Sequence, residues 1–191
     1  MPIIFKSEIK EFKKTEVMQI VNKNGYVIIR GLFNRNELIN CYKKLKENYN
    51  VNKDKQSNAG TPKEIFGNFQ KLCVGSSSVS EEKIYRLHRI IYNPTWSKNL
   101  YGLRNIFIRF NKIRNRILGF SDNFCLTKPQ KKLWSACRIL QYPVGGGHMS
   151  KHSDYILKSV SKINFKNKFY QLVLPITERN KNFQEGGAYI V

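Results

Sequence analysis

Acidic residues are scarce in this chain: 13 aspartates and glutamates face 34 lysines and arginines, which leaves a formal charge of +21 over 191 residues. Histidine and aspartate are rarer still, with three copies of each. No apolar run approaches the roughly 18 to 20 residues that a spanning helix requires, so no membrane segment is expected. The four cysteines, Cys41, Cys73, Cys125 and Cys137, contain no C-x-x-C pair. That excludes a locally encoded zinc knuckle and a dense disulfide framework, and fits reduced thiols in a cytoplasmic protein. The opening MPIIFKSEIKEFKK places a short apolar patch before its charges, the reverse of a secretory signal. Internal repeats and low-complexity tracts are absent.

What is present reads as globular. Hydrophobic residues make up 41% and aromatics 13%, enough for a core, and the length suits a single domain over residues 1–191. The charge has two readings. Lys, Asn and Ile are all abundant and the lysines are spread along the whole chain, as an AT-rich coding sequence and a solvated surface would produce. A polyanionic partner such as nucleic acid is the alternative.

Periodicity suggests helices in front and strands behind. Ile9, Phe12, Ile20 and Val21 form a loose helical stripe ending near Gly25, a C-terminal cap. YVIIR, 26–30, reads as a strand. NRNELINCYKKLKENY has Asn34 as N-cap and Glu37 at capping-box spacing, with Leu38, Tyr42, Leu45 and Tyr49 along one face. VNKDKQSNAGTP and KLCVGSSSVS read as loops, the second leading into a helix near Ser80. Asn93 and Pro94 resemble the cap and first residue of a long helix that carries Leu100, Leu103, Phe107, Phe110 and Ile117 and stops near Gly119. Its other face bears Arg104, Arg109, Lys112, Arg114 and Arg116, a solvated surface or a guide for an anion. From Leu133 onward LWSACRILQY, KFYQLVLPI and GGAYIV are short, aromatic or β-branched, and separated by turns. The expectation is α+β: a mainly helical 1–132 and an antiparallel β core in 133–191.

GGGHMSKHSDY, 145–155, holds two of the three histidines and one aspartate. On an extended segment His152 and Asp154 point to the same side, about 6.5 to 7 Å apart along the backbone. An imidazole and a carboxylate so placed supply part of the two-histidine, one-carboxylate set that holds ferrous iron and leaves positions open for substrates.

The surroundings of this pair resemble a known family. A strand RILQYP, a glycine turn, H-x-D, a strand KFYQLVLPI and F-x-x-GG opening another strand are similar to the core of Fe(II)/2-oxoglutarate-dependent dioxygenases, in their prolyl-hydroxylase-like and phytanoyl-CoA-hydroxylase-like branches. The specific likeness covers Trp134 to Val191, and a weaker one covers 25–47. It implies N-terminal helices packed on a double-stranded β-helix, the cupin-like jelly roll, with His152 and Asp154 as metal ligands. It also implies Fe(II), 2-oxoglutarate and O2 as reaction partners, and hydroxylation of a small molecule or a protein side chain. Tyr142 stands where family members often place a hydroxyl contact to 2-oxoglutarate, Arg138 faces the same way as a second cofactor-binding candidate for an anion, and Gly186 and Gly187 fit the family's paired glycines. No histidine follows Asp154, so the distal ligand and the arginine that grips 2-oxoglutarate are expected beyond Val191, with the core incomplete in this chain.

Other readings compete. His148 and His152 superficially resemble the zinc-protease helix H-E-x-x-H, but Met149 replaces the general base. His88, between Ile84 and Ile91, reads as a hydrogen-bonded histidine on a helical face. A hydrogen bond fixing a turn is the bland role for His152 and Asp154, and core packing the bland role for Trp134, Tyr142, Phe169 and Tyr170. A basic module that contacts nucleic acid without chemistry is the alternative function.

Overall fold

Apolar stripes at helical spacing set the first half of the chain, and a long hairpin that those stripes do not announce sets the site. The computed structural model describes residues 1–6, 8–53, 55–56, 67–79, 82–130, 135, 137–152 and 171–184. The elements in order are β1 (Ile3–Phe5), α1 (Lys14–Asn24), β2 (Ile28–Arg30), α2 (Arg35–Asn48), β3 (Lys55–Gln56), β4 (Phe69–Val79), β5 (Glu82–Tyr92), α3 (Arg104–Leu118), β6 (Arg138–Gln141) and β7 (His148–Met149). Mixed helix and largely antiparallel sheet make this an α+β chain. None of the described helices is long and apolar enough to cross a membrane.

The first two helices follow their local signals. α1 stops at Gly25, whose φ of 78° is a left-handed conformation that glycine adopts without a Cβ penalty. α2 starts at Asn34, whose side chain accepts a hydrogen bond from the Asn36 amide at 2.8 Å. Glu37, expected to close a capping box, instead accepts from Arg109 at 2.7 Å.

Several expectations fail here. The long helix begins at Arg104 and not at Pro94. The Asn93 side chain does not cap it, but donates to Asn68 Oδ1, Ser97 Oγ and the Lys98 carbonyl and ties down a loop. Residues 71–79 of KLCVGSSSVS lie in strand β4, and Glu82–Tyr92, where a helix was expected, is strand β5, paired in register from Phe69↔Tyr92 to Val79↔Glu82. The longest strands therefore lie inside the half that was expected to be mainly helical. The arginines on this face of α3 are half-buried and paired. Arg109 pairs with Glu37, and Arg116 grips Asp122 with two bonds of 2.8 and 2.7 Å and reaches the Ile9 carbonyl. Arg104 donates to the Ser97 carbonyl, and Arg114 to Asn115. Arg104 and Arg116 thereby tether loops to the helix, and Arg109 ties it to α2.

The larger sheet runs β3-β4-β5-β6, with β7 also on β5. Directly opposed residues share a face, so the register defines two. One face presents Ile91 and Ile139 to α2 and α3, where they pack with Cys41, Tyr101, Leu103, Ile106 and Phe107. The far end of α3 contributes Ile113 and Ile117 to a second cluster, with Phe12 and Val17 beside β1 and β2. Fully burying each such side chain contributes about 1.5 to 3 kcal/mol, so the helices hold this face firmly. Beyond the sheet, 171–176 alternates exposed and half-buried, with Leu172, Leu174 and Ile176 turned to the clusters. It has the period of the expected strand KFYQLVLPI, although no strand pairing is assigned to it among the described residues. All four cysteines are buried free thiols, as expected from their scatter.

Candidate active site

The second sheet face is the unusual one. Its positions on β4 are Phe69, Lys71, Cys73 and Gly75; on β5, Tyr92, Ile90, His88 and Arg86; on β6 and just past it, Arg138, Leu140 and Tyr142. Phe69, Cys73, Ile90 and Tyr92 form an apolar cluster. Beside it lie two polar residues that seldom occupy a core, Lys71 and His88, each only 2% exposed.

A glycine excursion interrupts the strand pairing opposite His88. β6 pairs with β5 from Tyr92↔Arg138 to Arg89↔Gln141, and pairing resumes at Leu87↔His148. His88 alone spans on β5 what 142–147 spans on the other strand. The turn is therefore a bulge in one continuing strand direction and not a reversal of the chain. It depends on its glycines. Gly145 and Gly146 have φ of 84° and 128°, and a Cβ on Gly147 would stand 2.5 Å from the Pro143 carbonyl oxygen. β7 then carries the chain past Tyr85, bonded to Ser150 twice, to His152.

His152 is half-buried, and its Nδ1 lies 2.9 Å from the Ser150 carbonyl oxygen. A carbonyl only accepts, so Nδ1 carries the proton and donates, and the lone pair belongs to Nε2. That tautomer, with the far nitrogen anchored to backbone, is the form in which a histidine ligates a metal. The ring is thus suited to the metal role, while Asp154 lies outside the described residues, as do Trp134, Phe169, Tyr170, Gly186 and Gly187. Among the described residues no group of three His, Cys, Asp or Glu is placed to hold a metal ion.

Arg138 and Tyr142 share the face of His88, and the Tyr142 ring lies 5.9 Å from the His88 ring, centroid to centroid. Burial raises the Tyr142 phenol above its ordinary value, against the opposing pull of Arg138, so it remains a neutral hydrogen-bond donor. Burial also raises the Cys73 thiol, opposite His88. His148 is exposed on a strand and pairs with Leu87, turned to the other face, with Nδ1 bonded to the Gly146 carbonyl at 2.8 Å. A zinc helix built from His148 and His152 is thereby excluded.

His88 departs most from expectation. It sits on a strand, not a helix, and its Nδ1 has no hydrogen-bond partner among the described residues. Burial first, then Arg86, Arg138, Lys71 and His152, push its pKa down to about 4. Every charged group in that set is basic, so the imidazole is neutral in an electropositive setting. Sequence reasoning missed Lys71 and His88, yet one signal was available: Ile84, His88, Ile90 and Tyr92 fall at spacings of two or four, a strand pattern with a polar residue at a buried position.

A surface cleft of about 520 Å³ at the β2–α2 junction is lined by Glu8, Lys10, Glu37 and Arg109. Its charges pair with one another, Lys10 with Glu8 and Arg109 with Glu37, each at 2.7 Å. It offers no unsatisfied chemistry. No known protein family, curated protein or solved structure matches the chain.

Proposed function

We propose that this chain carries iron-binding residues of an Fe(II)/2-oxoglutarate-dependent dioxygenase. In this reading its antiparallel sheet is one wall of a double-stranded β-helix. The observation that carries the reading is the backbone-anchored tautomer of His152, which lies within electrostatic reach of His88 on the sheet face that also holds Lys71, Arg86 and Arg138. His152 and Asp154 hold the metal. Tyr142 and Arg138 offer a neutral donor and a cation to 2-oxoglutarate, and the apolar cluster of Phe69, Cys73, Ile90 and Tyr92 limits water on the sheet side. Bound iron supplies the O2 activation that no side chain provides. In the full reaction 2-oxoglutarate, O2 and a C–H bond give succinate, CO2 and a C–OH, one oxygen atom going to each organic product. The substrate is a small molecule or a protein side chain.

The test uses the protein loaded with Fe(II) without oxygen. On admission of O2 it is expected to convert 2-oxoglutarate to succinate, with ascorbate supplying the two electrons that a substrate C–H bond would otherwise give. Asp154→Ala should reduce this to background. Equal succinate release by both proteins, or none by either, overturns the reading. RNA or DNA binding that weakens steeply with salt and ignores Asp154→Ala would instead favour the basic module.

A further inference from the structure

Buried polar atoms in folded chains are paired in more than nine cases in ten, and leaving one unpaired costs about 1 to 3 kcal/mol. His88 Nδ1 is such an atom: 2% of the residue is exposed, and the nitrogen has no partner among the described residues. Its place argues against mere imperfection. It lies opposite the glycine excursion, one ring from the half-exposed Tyr142, which is 49% accessible. The ionisable side chains in electrostatic reach, Lys71, Arg86, Arg138 and His152, are all basic, and Lys71, Arg86 and His152 make other contacts as well.

We infer that His88 is a ligand-contact residue, whose Nδ1–H donates to a carboxylate oxygen of an acidic ligand seated on this sheet face. An anion is the partner that a basic setting favours, and a carboxylate is a planar acceptor that a single N–H can meet. A metal ion at Nδ1 would meet the repulsion of the same cations. The inference rests on the oxygenase reading only for the ligand's identity: with it the carboxylate is that of 2-oxoglutarate, without it that of a free dicarboxylic acid. His88 then fixes the ligand from the floor of the site while Tyr142 and Arg138 approach from its open edge.

The chain, stripped of metal on a chelating resin, is titrated with 2-oxoglutarate, succinate and inorganic phosphate in parallel. Binding is followed by calorimetry and by the ¹⁵N shifts of the His88 ring. 2-Oxoglutarate or succinate is expected to bind and to move the Nδ1 resonance. His88→Phe should weaken that binding about tenfold or more, and His88→Asn, whose amide nitrogen replaces Nδ1, should restore most of it. Thermal unfolding of both variants verifies that they fold. Preference for 2-oxoglutarate over succinate assigns the ligand to the oxygenase reading, and equal binding assigns it to a general dicarboxylate site. No binding of either acid, tighter binding of phosphate, an unmoved Nδ1 resonance, or equal affinity in a folded His88→Phe protein overturns the inference. Because metal is absent, these outcomes are independent of whether His152 and Asp154 hold iron.

Discussion

Acidification from pH 7 to pH 4 is expected to destabilise the fold by about 3 kcal/mol through His88 alone. The sign follows from burial. The unfolded chain binds a proton at His88 near the ordinary histidine value of 6.5, whereas the folded chain resists it until about pH 4. Between those limits the unfolded state holds more protons, so stability is fully present above the unfolded value and falls as pH drops through the window. Arg86, Arg138, Lys71 and His152 all act in the same direction, since each disfavours a second cation beside it. The carboxylates of Asp122 and Glu178 are held low by Arg116 and Lys181, respectively, and lose their contribution toward the acid end, below most of the His88 window. Urea unfolding at pH steps from 7.5 to 4 reads the effect directly. The slope should flatten by most of that amount in His88→Phe, and an unchanged slope would show that the imidazole is not buried neutral.

Replacement of Asn115 by leucine is expected to destabilise the chain by about 3 kcal/mol, despite the near-match in size. Asn115 is fully buried, and its amide nitrogen donates to the carbonyls of Asp122 and Phe124 at 3.0 and 2.9 Å. Its oxygen accepts from Arg114 at 2.9 Å. Leucine strands all three groups at once, beneath the turn where Gly119 ends α3 and Phe120 donates to the Asn115 carbonyl. For a chain of this length the loss corresponds to a fall of about 10 °C in Tm. A fall of 2 °C or less would mean that water replaces the amide and that the loop is not held as described.

Legibility followed the range of the interactions involved. α2 could be read because its cap, Asn34, and its stripe, Leu38, Leu45 and Tyr49, act within a few residues of one another. The end of α3 was equally local, since Gly119 alone supplies the left-handed turn. Its start was not: Asn93 has a capping residue's chemistry, but Asn68, which accepts from it, is 25 positions away. The β4–β5 hairpin was hidden for a related reason. Gly75 and the serines of β4 resemble a loop, and β5 places Arg86 and His88 where a structural strand would carry apolar residues. The site itself was half legible. H-x-D could be recognised because its residues are two apart, whereas Lys71 and His88 meet it only through the sheet.

Anaerobic titration with Fe(II) is the direct test of the metal site. The chain is expected to take up one ferrous ion, to lose it in His152→Ala, and to keep it in His148→Ala, which alters an exposed histidine outside the proposed ligand pair. Uptake unchanged by His152→Ala would contradict the account.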